Sequence, residues 1–118
     1  MPRVSTDSDI ERIRAELALS SRFRAEGRLG RARVCARRAA GWAIAHYYRR
    51  ARGTPMPSSA LVLLRLYRDD PAVPVGLRQA AARLIVPVGE DFRLPHDEDS
   101  TEDARRLVEH LLADEATS

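Results

Sequence analysis

Apolar residues recur along the chain at spacings of three and four positions, which is the repeat of an amphipathic helix. The first such segment covers residues 8–26 and is ended by Gly27. Candidate caps precede it at Thr6, Asp7 and Ser8. A second, longer helix is predicted over about 28–52. Its apolar stripe consists mostly of small residues, which permit close helix packing: Ala32, Cys35, Ala36, Ala39, Ala43 and His46.

Two shorter helices follow in the middle of the chain. The glycine and prolines of 53–57 interrupt the pattern, and Ser58 or Ser59 can then cap a third helix. A fourth helix starts near Pro74 and ends before Pro87. These connections are short, as expected between helices that pack side by side.

A fifth helix completes the pattern. Ser100 and Asp103 are spaced as in a capping box, and one apolar stripe follows them: Ala104, Leu107, Val108, Leu111 and Leu112. We therefore predict an all-α fold, an antiparallel up-and-down bundle of four to five helices. Residues 1–118 are expected to form a single domain, with flexible ends at 1–7 and 116–118.

Composition excludes several classes of protein. Hydrophobic residues make up 44% of the chain against 31% charged, a balance that supports a packed core. The single cysteine, Cys35, allows no internal disulfide, and no signal peptide or membrane-spanning run is recognisable, so we expect a cytoplasmic protein. One cysteine and three scattered histidines give no metal-ligand spacing, and no cofactor motif is present.

The charge is unevenly distributed along the chain. All 20 basic residues are arginines, and residues 27–68 hold ten of them with no acidic residue, whereas residues 89–118 hold ten acidic residues. On the wheel of the second helix, Arg33 and Arg37 flank the apolar stripe on one side and Arg38 on the other. Arginine binds phosphate well, so these three are candidate ligand-binding residues. Alternatively, the arginines pair with the acidic segment of this chain or of a partner subunit.

The stretch 87–98 is a long loop, and loops of this length are often functional. Arg93, His96 and Asp97 lie in it. The guanidinium and imidazole could contact phosphate while Asp97 orients the imidazole, which adds all three to the candidate ligand-binding residues. A loop that only docks beside Pro95 is the alternative.

Two stretches resemble a known family. Phe23-Arg24-Ala25-Glu26-Gly27, followed by the small residues of the second helix, resembles the first helical hairpin of HEPN domains (higher eukaryotes and prokaryotes nucleotide-binding). Residues 91–97 and 102–104 are similar to the segment that enters the last helix of that family. Leu94 replaces its tyrosine, and His96 is inserted before Asp97. The resemblance covers about residues 8–115.

The resemblance implies a helical domain that dimerises, binds nucleotide or RNA, and can belong to a toxin–antitoxin pair with a nucleotidyltransferase partner. Some HEPN branches are metal-independent endoribonucleases that use an arginine followed four to six residues later by a histidine. Only Arg105 and His110 fit that spacing here. They lie about 140° apart on a helix and off its apolar stripe, so a solvated surface is the explanation that the spacing favours.

Three functions remain open from the sequence. The first is a HEPN-like binding module, a homodimer that binds nucleotide, RNA or an acidic protein partner. The second is a metal-independent endoribonuclease with Arg105 and His110 paired across a dimer cleft, which would cleave RNA in the presence of EDTA. The third is a pure protein-interaction scaffold that recognises a neighbour such as a nucleotidyltransferase by charge.

Overall fold

Five α-helices form the part of the chain that the structure describes, residues 3–86 and 99–113 of a computed structural model. Side chains are described from residue 8 onward within these ranges. The helices are α1 (Arg3–Ala25), α2 (Leu29–Arg52), α3 (Ala60–Arg68), α4 (Val75–Ile85) and α5 (Ser100–Leu111). The predicted all-α helical bundle is confirmed.

The predicted helix ends agree with the structure at most positions. Gly27 and Gly53 follow α1 and α2 with φ of 76° and 70°, the left-handed conformation that glycine adopts without steric strain. Ser59 caps α3, and its hydroxyl accepts a hydrogen bond from the N–H of Val62 at 3.3 Å. The start of α1 was predicted wrongly, because the helix begins at Arg3 and already contains the residues predicted to cap it.

The N-terminus of α5 differs from the predicted capping box. Asp99 is the N-cap, and its carboxylate accepts hydrogen bonds from the N–H groups of Thr101 at 2.7 Å and Glu102 at 3.2 Å. Ser100 is instead the first residue of the helix, where its side chain is turned to another partner. The preference among Ser, Asp and Asn at an N-cap is weak, so tertiary contacts decide which of two neighbours fills it.

Helix α2 is central and contacts each of the other four helices. Every member of its predicted apolar stripe is buried, including His46 at 4% exposure. Large side chains from α1, α3, α4 and α5 fill the space around these small residues, among them Ile13, Leu64, Leu84 and Leu107. These small residues therefore pack against helices of the same chain, so they no longer support the predicted homodimer.

The C-terminal end of α2 is fastened to the turn after α3. Tyr48, at 2% exposure, donates a hydrogen bond to the carboxylate of Asp70, and Arg52 lies 3.6 Å from the same carboxylate. The hydrogen bond from Tyr48 lowers the pKa of Asp70, with a further bond from the N–H of Ala72. Burial, followed by the bond to Asp70, raises the pKa of Tyr48.

Candidate functional site

Arg33 is buried against the end of α4, although the helical wheel placed it beside the apolar stripe. It is 5% exposed, and its guanidinium donates to the carbonyl oxygens of Arg83 and Leu84 at 3.1 Å each and to that of Val86. The same group donates to Ser100 Oγ at 2.8 Å. One side chain of α2 therefore joins the end of α4 to the start of α5.

Arg37, one turn further along α2, contacts the same end of α4. Its Nε donates to the carbonyl of Leu84 at 2.7 Å and its Nη2 to that of Ile85 at 3.1 Å. The last carbonyls of a helix have no partner within the helix, and cations are favourable there. Burial, followed by the charge of Arg37, lowers the pKa of Arg33 to about 10, so Arg33 stays charged at neutral pH.

These contacts correct the expectation that Arg33 and Arg37 lie clear of the packed surface. Their guanidinium groups serve the folded chain as caps for α4. Replacing both with glutamate would place two carboxylates against backbone carbonyl oxygens, so we expect such a variant to unfold rather than to lose only ligand binding.

Three candidate site residues lie outside the described residues: Arg93, His96 and Asp97. The described residues on either side of their segment do come together. Val86, the last before the segment, and Ser100, the second after it, both bind the guanidinium of Arg33. Arg33 thus lies where the described residues on the two sides of the segment 87–98 come together.

Arg38 is the exposed member of the three candidate arginines on α2. Half of its side chain is accessible, and its Nη1 lies 3.1 Å from Glu16 Oε2. It forms part of the wall of a groove between α2 and the start of α3, with a volume of about 340 Å³. The groove is lined by Val34, Arg37, Arg38, Gly41, Trp42, Ser58, Ala60 and Leu61. Its size is at the lower end of the range for small-molecule sites.

Gly41 and Ala60, which both line this groove, approach each other closely. A Cβ added at Gly41 would lie 2.9 Å from both Cα and Cβ of Ala60, closer than such atoms can approach. Glycine at this position therefore allows the first residue of α3 to touch the α2 backbone. The N-terminus of α3, with its partial positive charge, borders the groove together with Arg38, and the N–H of Val62 in its first turn is bonded to Ser59.

Trp42 supplies an aromatic wall that the sequence reasoning missed as a site residue. It is half-buried, and the guanidinium of Arg12 lies 3.8 Å from the centre of its ring. Val34, Arg38 and Trp42 are spaced four residues apart and so share one face of α2. The four-residue spacing is visible in the sequence. It indicates a groove only in combination with α3, which forms the opposite side.

The histidines do not form a catalytic pair with arginine in the described residues. The Nδ1 of His46 lies 3.8 Å from Asp9 Oδ2, inside the bundle. Arg105 pairs with Glu102 at 3.3 Å, and His110 is exposed on the outer surface of α5. No contact joins Arg105 to His110 within these residues. Pairing of the two across a dimer cleft, as the endoribonuclease alternative requires, stays a prediction.

The described carboxylates near the start of α5 pair with arginines outside α2. Asp103, 2% exposed, accepts two hydrogen bonds from Arg83 at 2.8 and 3.0 Å. Asp99 lies 3.3 Å from Arg24, and Glu102 pairs with Arg105 as above. Among the described residues no carboxylate of 99–113 forms a salt bridge with an arginine of α2, although the charge of Asp103 acts on the buried Arg33.

Several side chains of α2 remain exposed and positively charged: Arg31, Arg38, Arg49, Arg50 and Arg52. Helix α2 itself contains no acidic residue. Arg31 and Arg49 have no salt bridge to any carboxylate of the described residues, whereas Arg38 and Arg52 each have one. The two ends of α2 thus present guanidinium groups to solvent.

Neither a metal site nor a membrane span is found in residues 3–86 and 99–113. No three His, Cys, Asp or Glu side chains in these ranges come close enough together to hold a metal ion. None of the described helices combines the length and the apolar character needed to cross a bilayer. No family model, curated protein or solved structure matches the chain. Membership of the HEPN family therefore stays a prediction from the sequence.

Proposed function

We propose that this chain is a HEPN-like helical binding module that binds RNA through the exposed arginines of α2. The observation that carries the proposal is the positive charge that two arginines of that helix present to solvent. Arg31 and Arg49 are exposed without a described carboxylate partner, and α2 has no acidic residue of its own. The family resemblance also implies a homodimer and a nucleotidyltransferase partner, and both stay predictions.

The physical basis is the release of counterions from the phosphate backbone. Each guanidinium that neutralises a phosphate frees a condensed cation, so the affinity decreases linearly with salt on a logarithmic scale. The slope is about 0.7 per contact for a single strand. Arginine also offers a planar fork of donors that fits two phosphate oxygens. An exposed row of arginines therefore favours a polyanion over a neutral ligand.

The test measures anisotropy of a labelled single-stranded RNA against the protein over a salt series. The variant Arg31→Gln/Arg49→Gln removes the two unpaired charges of α2. The control Arg14→Gln/Arg106→Gln removes two exposed arginines, which have no described salt bridge, from α1 and α5. We expect the α2 variant to lower the salt slope by about 0.7 per arginine and the control to leave it nearly unchanged.

Two results would overturn the proposal. Binding that is absent or independent of salt would exclude an electrostatic RNA surface. Equal weakening by both variants would show that only the net charge matters and that α2 is not the binding surface. Capture of an acidic protein by the same arginines, without RNA binding, would support the scaffold alternative instead.

A further inference from the structure

The groove between α2 and α3 combines two recognition chemistries within one small volume. Arg38 and the N-terminus of α3 form a positively charged side, and Trp42 forms an aromatic side. Arg37 also lines the groove, but its Nε and Nη2 are bonded to α4 carbonyls. The positive side available to a ligand is therefore Arg38 with the first N–H groups of α3.

The positive side suits a phosphate group. Arg38 uses one nitrogen toward Glu16, and half of the side chain is open to solvent. The N–H groups in the first turn of a helix have no acceptor within that helix and bind anions readily. Ser58 adds a hydroxyl to the same groove. A phosphate placed here would meet donors from two helices.

The aromatic side suits a planar base. Trp42 lies one turn from Arg38 on the same face of α2, about 6 Å along the helix axis by the rise of 1.5 Å per residue. The guanidinium of Arg12, which does not line the groove, lies 3.8 Å from the centre of the ring and shows that the ring attracts cationic groups. Stacking of bases on aromatic side chains is largely independent of sequence and adds substantially to single-strand binding.

We propose that this groove holds one unstacked nucleotide of a single-stranded nucleic acid, with the base against Trp42 and a phosphate at Arg38 and the start of α3. This inference rests on the proposed function. It assigns the preference for single strands to this one groove. A base in a duplex is stacked and paired, so it cannot enter a groove of about 340 Å³ without leaving the helix. The exposed arginines supply general affinity, and the groove selects single strands.

Trp42 is the single tryptophan of the chain, so its fluorescence reports on the groove alone. The experiment titrates the full chain with oligouridylate, with oligodeoxythymidylate of the same length, and with a duplex RNA of that length. Anisotropy of the labelled strands measures total binding in parallel. We expect both single strands to quench Trp42 and the duplex to bind without quenching. If one of the two single strands quenches Trp42 more strongly than the other, that strand identifies RNA or DNA as the preferred ligand.

Paired variants separate the groove from the general charge of α2. Arg38→Gln removes the guanidinium inside the groove, and Arg31→Gln removes an exposed one outside it on the same helix. We expect Arg38→Gln to weaken single-strand binding about tenfold, as for loss of a charge-assisted hydrogen bond, and Arg31→Gln only about twofold. Circular dichroism confirms that both variants are folded.

The outcomes distinguish this inference from the function on which it rests. Binding in anisotropy with no change in Trp42 fluorescence would overturn the groove and leave the arginine surface intact. Equal quenching by duplex and single strand, or equal effects of the two variants, would also overturn it. Absence of binding to every strand would overturn both proposals together.

Discussion

Arg33 donates a hydrogen bond to Ser100 Oγ at 2.8 Å across 67 positions of the chain. The same guanidinium holds the carbonyl of Val86, so it connects the two places where the segment 87–98 joins the bundle. Arg33, which the helical pattern predicts to bind a ligand, therefore holds α2, the end of α4 and the start of α5 together. Whatever the segment 87–98 contributes to function, its two attachment points depend on this arginine.

The first prediction concerns the stability that Arg33 provides. Arg33→Met keeps the length of the side chain and removes the donor to Ser100 and to the carbonyls of Arg83 and Val86, whereas the carbonyl of Leu84 keeps its bond from Arg37. We expect a loss of about 3 kcal/mol or more in the free energy of unfolding, because buried acceptors would remain unpaired. Urea unfolding followed by circular dichroism measures it. Arg31 is exposed and lies two positions away, so Arg31→Met should change the free energy of unfolding by less than about 0.5 kcal/mol. Equal losses in the two variants would contradict the structural role of Arg33.

The second prediction concerns the contact of Gly41 with Ala60. Alanine is favoured over glycine in a helix by about 1 kcal/mol, so substitution alone would stabilise α2. At position 41 the added Cβ would lie 2.9 Å from the Ala60 backbone, and α3 would have to move. We expect Gly41→Ala to destabilise by about 1–2 kcal/mol.

Gly30→Ala provides the matched control for that substitution. Gly30 lies on the same helix, and a Cβ there would meet no atom within 4 Å. Thermal unfolding should show Gly30→Ala equal to or above the wild type and Gly41→Ala below it. Equal melting temperatures for the two variants would argue against the close approach of α2 and α3.

The third prediction concerns the pH dependence of the bond between Tyr48 and Asp70. The bond lowers the pKa of Asp70 in the folded state below the value of about 3.9 for an unfolded chain. Its contribution is therefore fully present above about pH 4 and is lost as the pH falls through the lower, folded pKa. Tyr48→Phe should be less stable than the wild type by about 1–2 kcal/mol at pH 6, and this difference should shrink toward pH 2.

Tyr47→Phe is the control for this pH series, because Tyr47 is the exposed neighbour of Tyr48. Chemical unfolding at several pH values should show no such pH-dependent difference for Tyr47→Phe. A constant deficit of Tyr48→Phe from pH 6 to pH 2 would show that Asp70 is not linked to the hydroxyl.

The fourth prediction distinguishes the observed cap of α5 from the one expected from sequence. Asp99→Ala removes the acceptor for two N–H groups and should destabilise the protein by about 1 kcal/mol. Asp99→Asn keeps a capping oxygen and loses only the charge that faces Arg24, so it should retain most of the stability. Thermal melts of both variants measure the difference. Equal losses would mean that the ion pair, and not the cap, stabilises this end.

The helices and their packed faces could be predicted from the amino-acid sequence alone. The apolar repeat, the glycines at 27 and 53 and the serine at 59 act within one or two helical turns, so they can be recognised without knowing what lies across the fold. The buried stripes of α2 and α5 followed from the same periodicity. The division of the arginines between the interior and the surface depends instead on contacts between helices.

A helical wheel gives the direction of a side chain but not the residues that the side chain contacts. Arg33 lies at the edge of the stripe, and its burial depends on α4 ending where its carbonyls need donors. The hydroxyl of Ser100 serves Arg33, so Asp99 became the cap. The groove needed Gly41 and Ala60 to touch, two residues on different helices. Contacts between distant segments depend on the packing of whole helices, which no local pattern encodes.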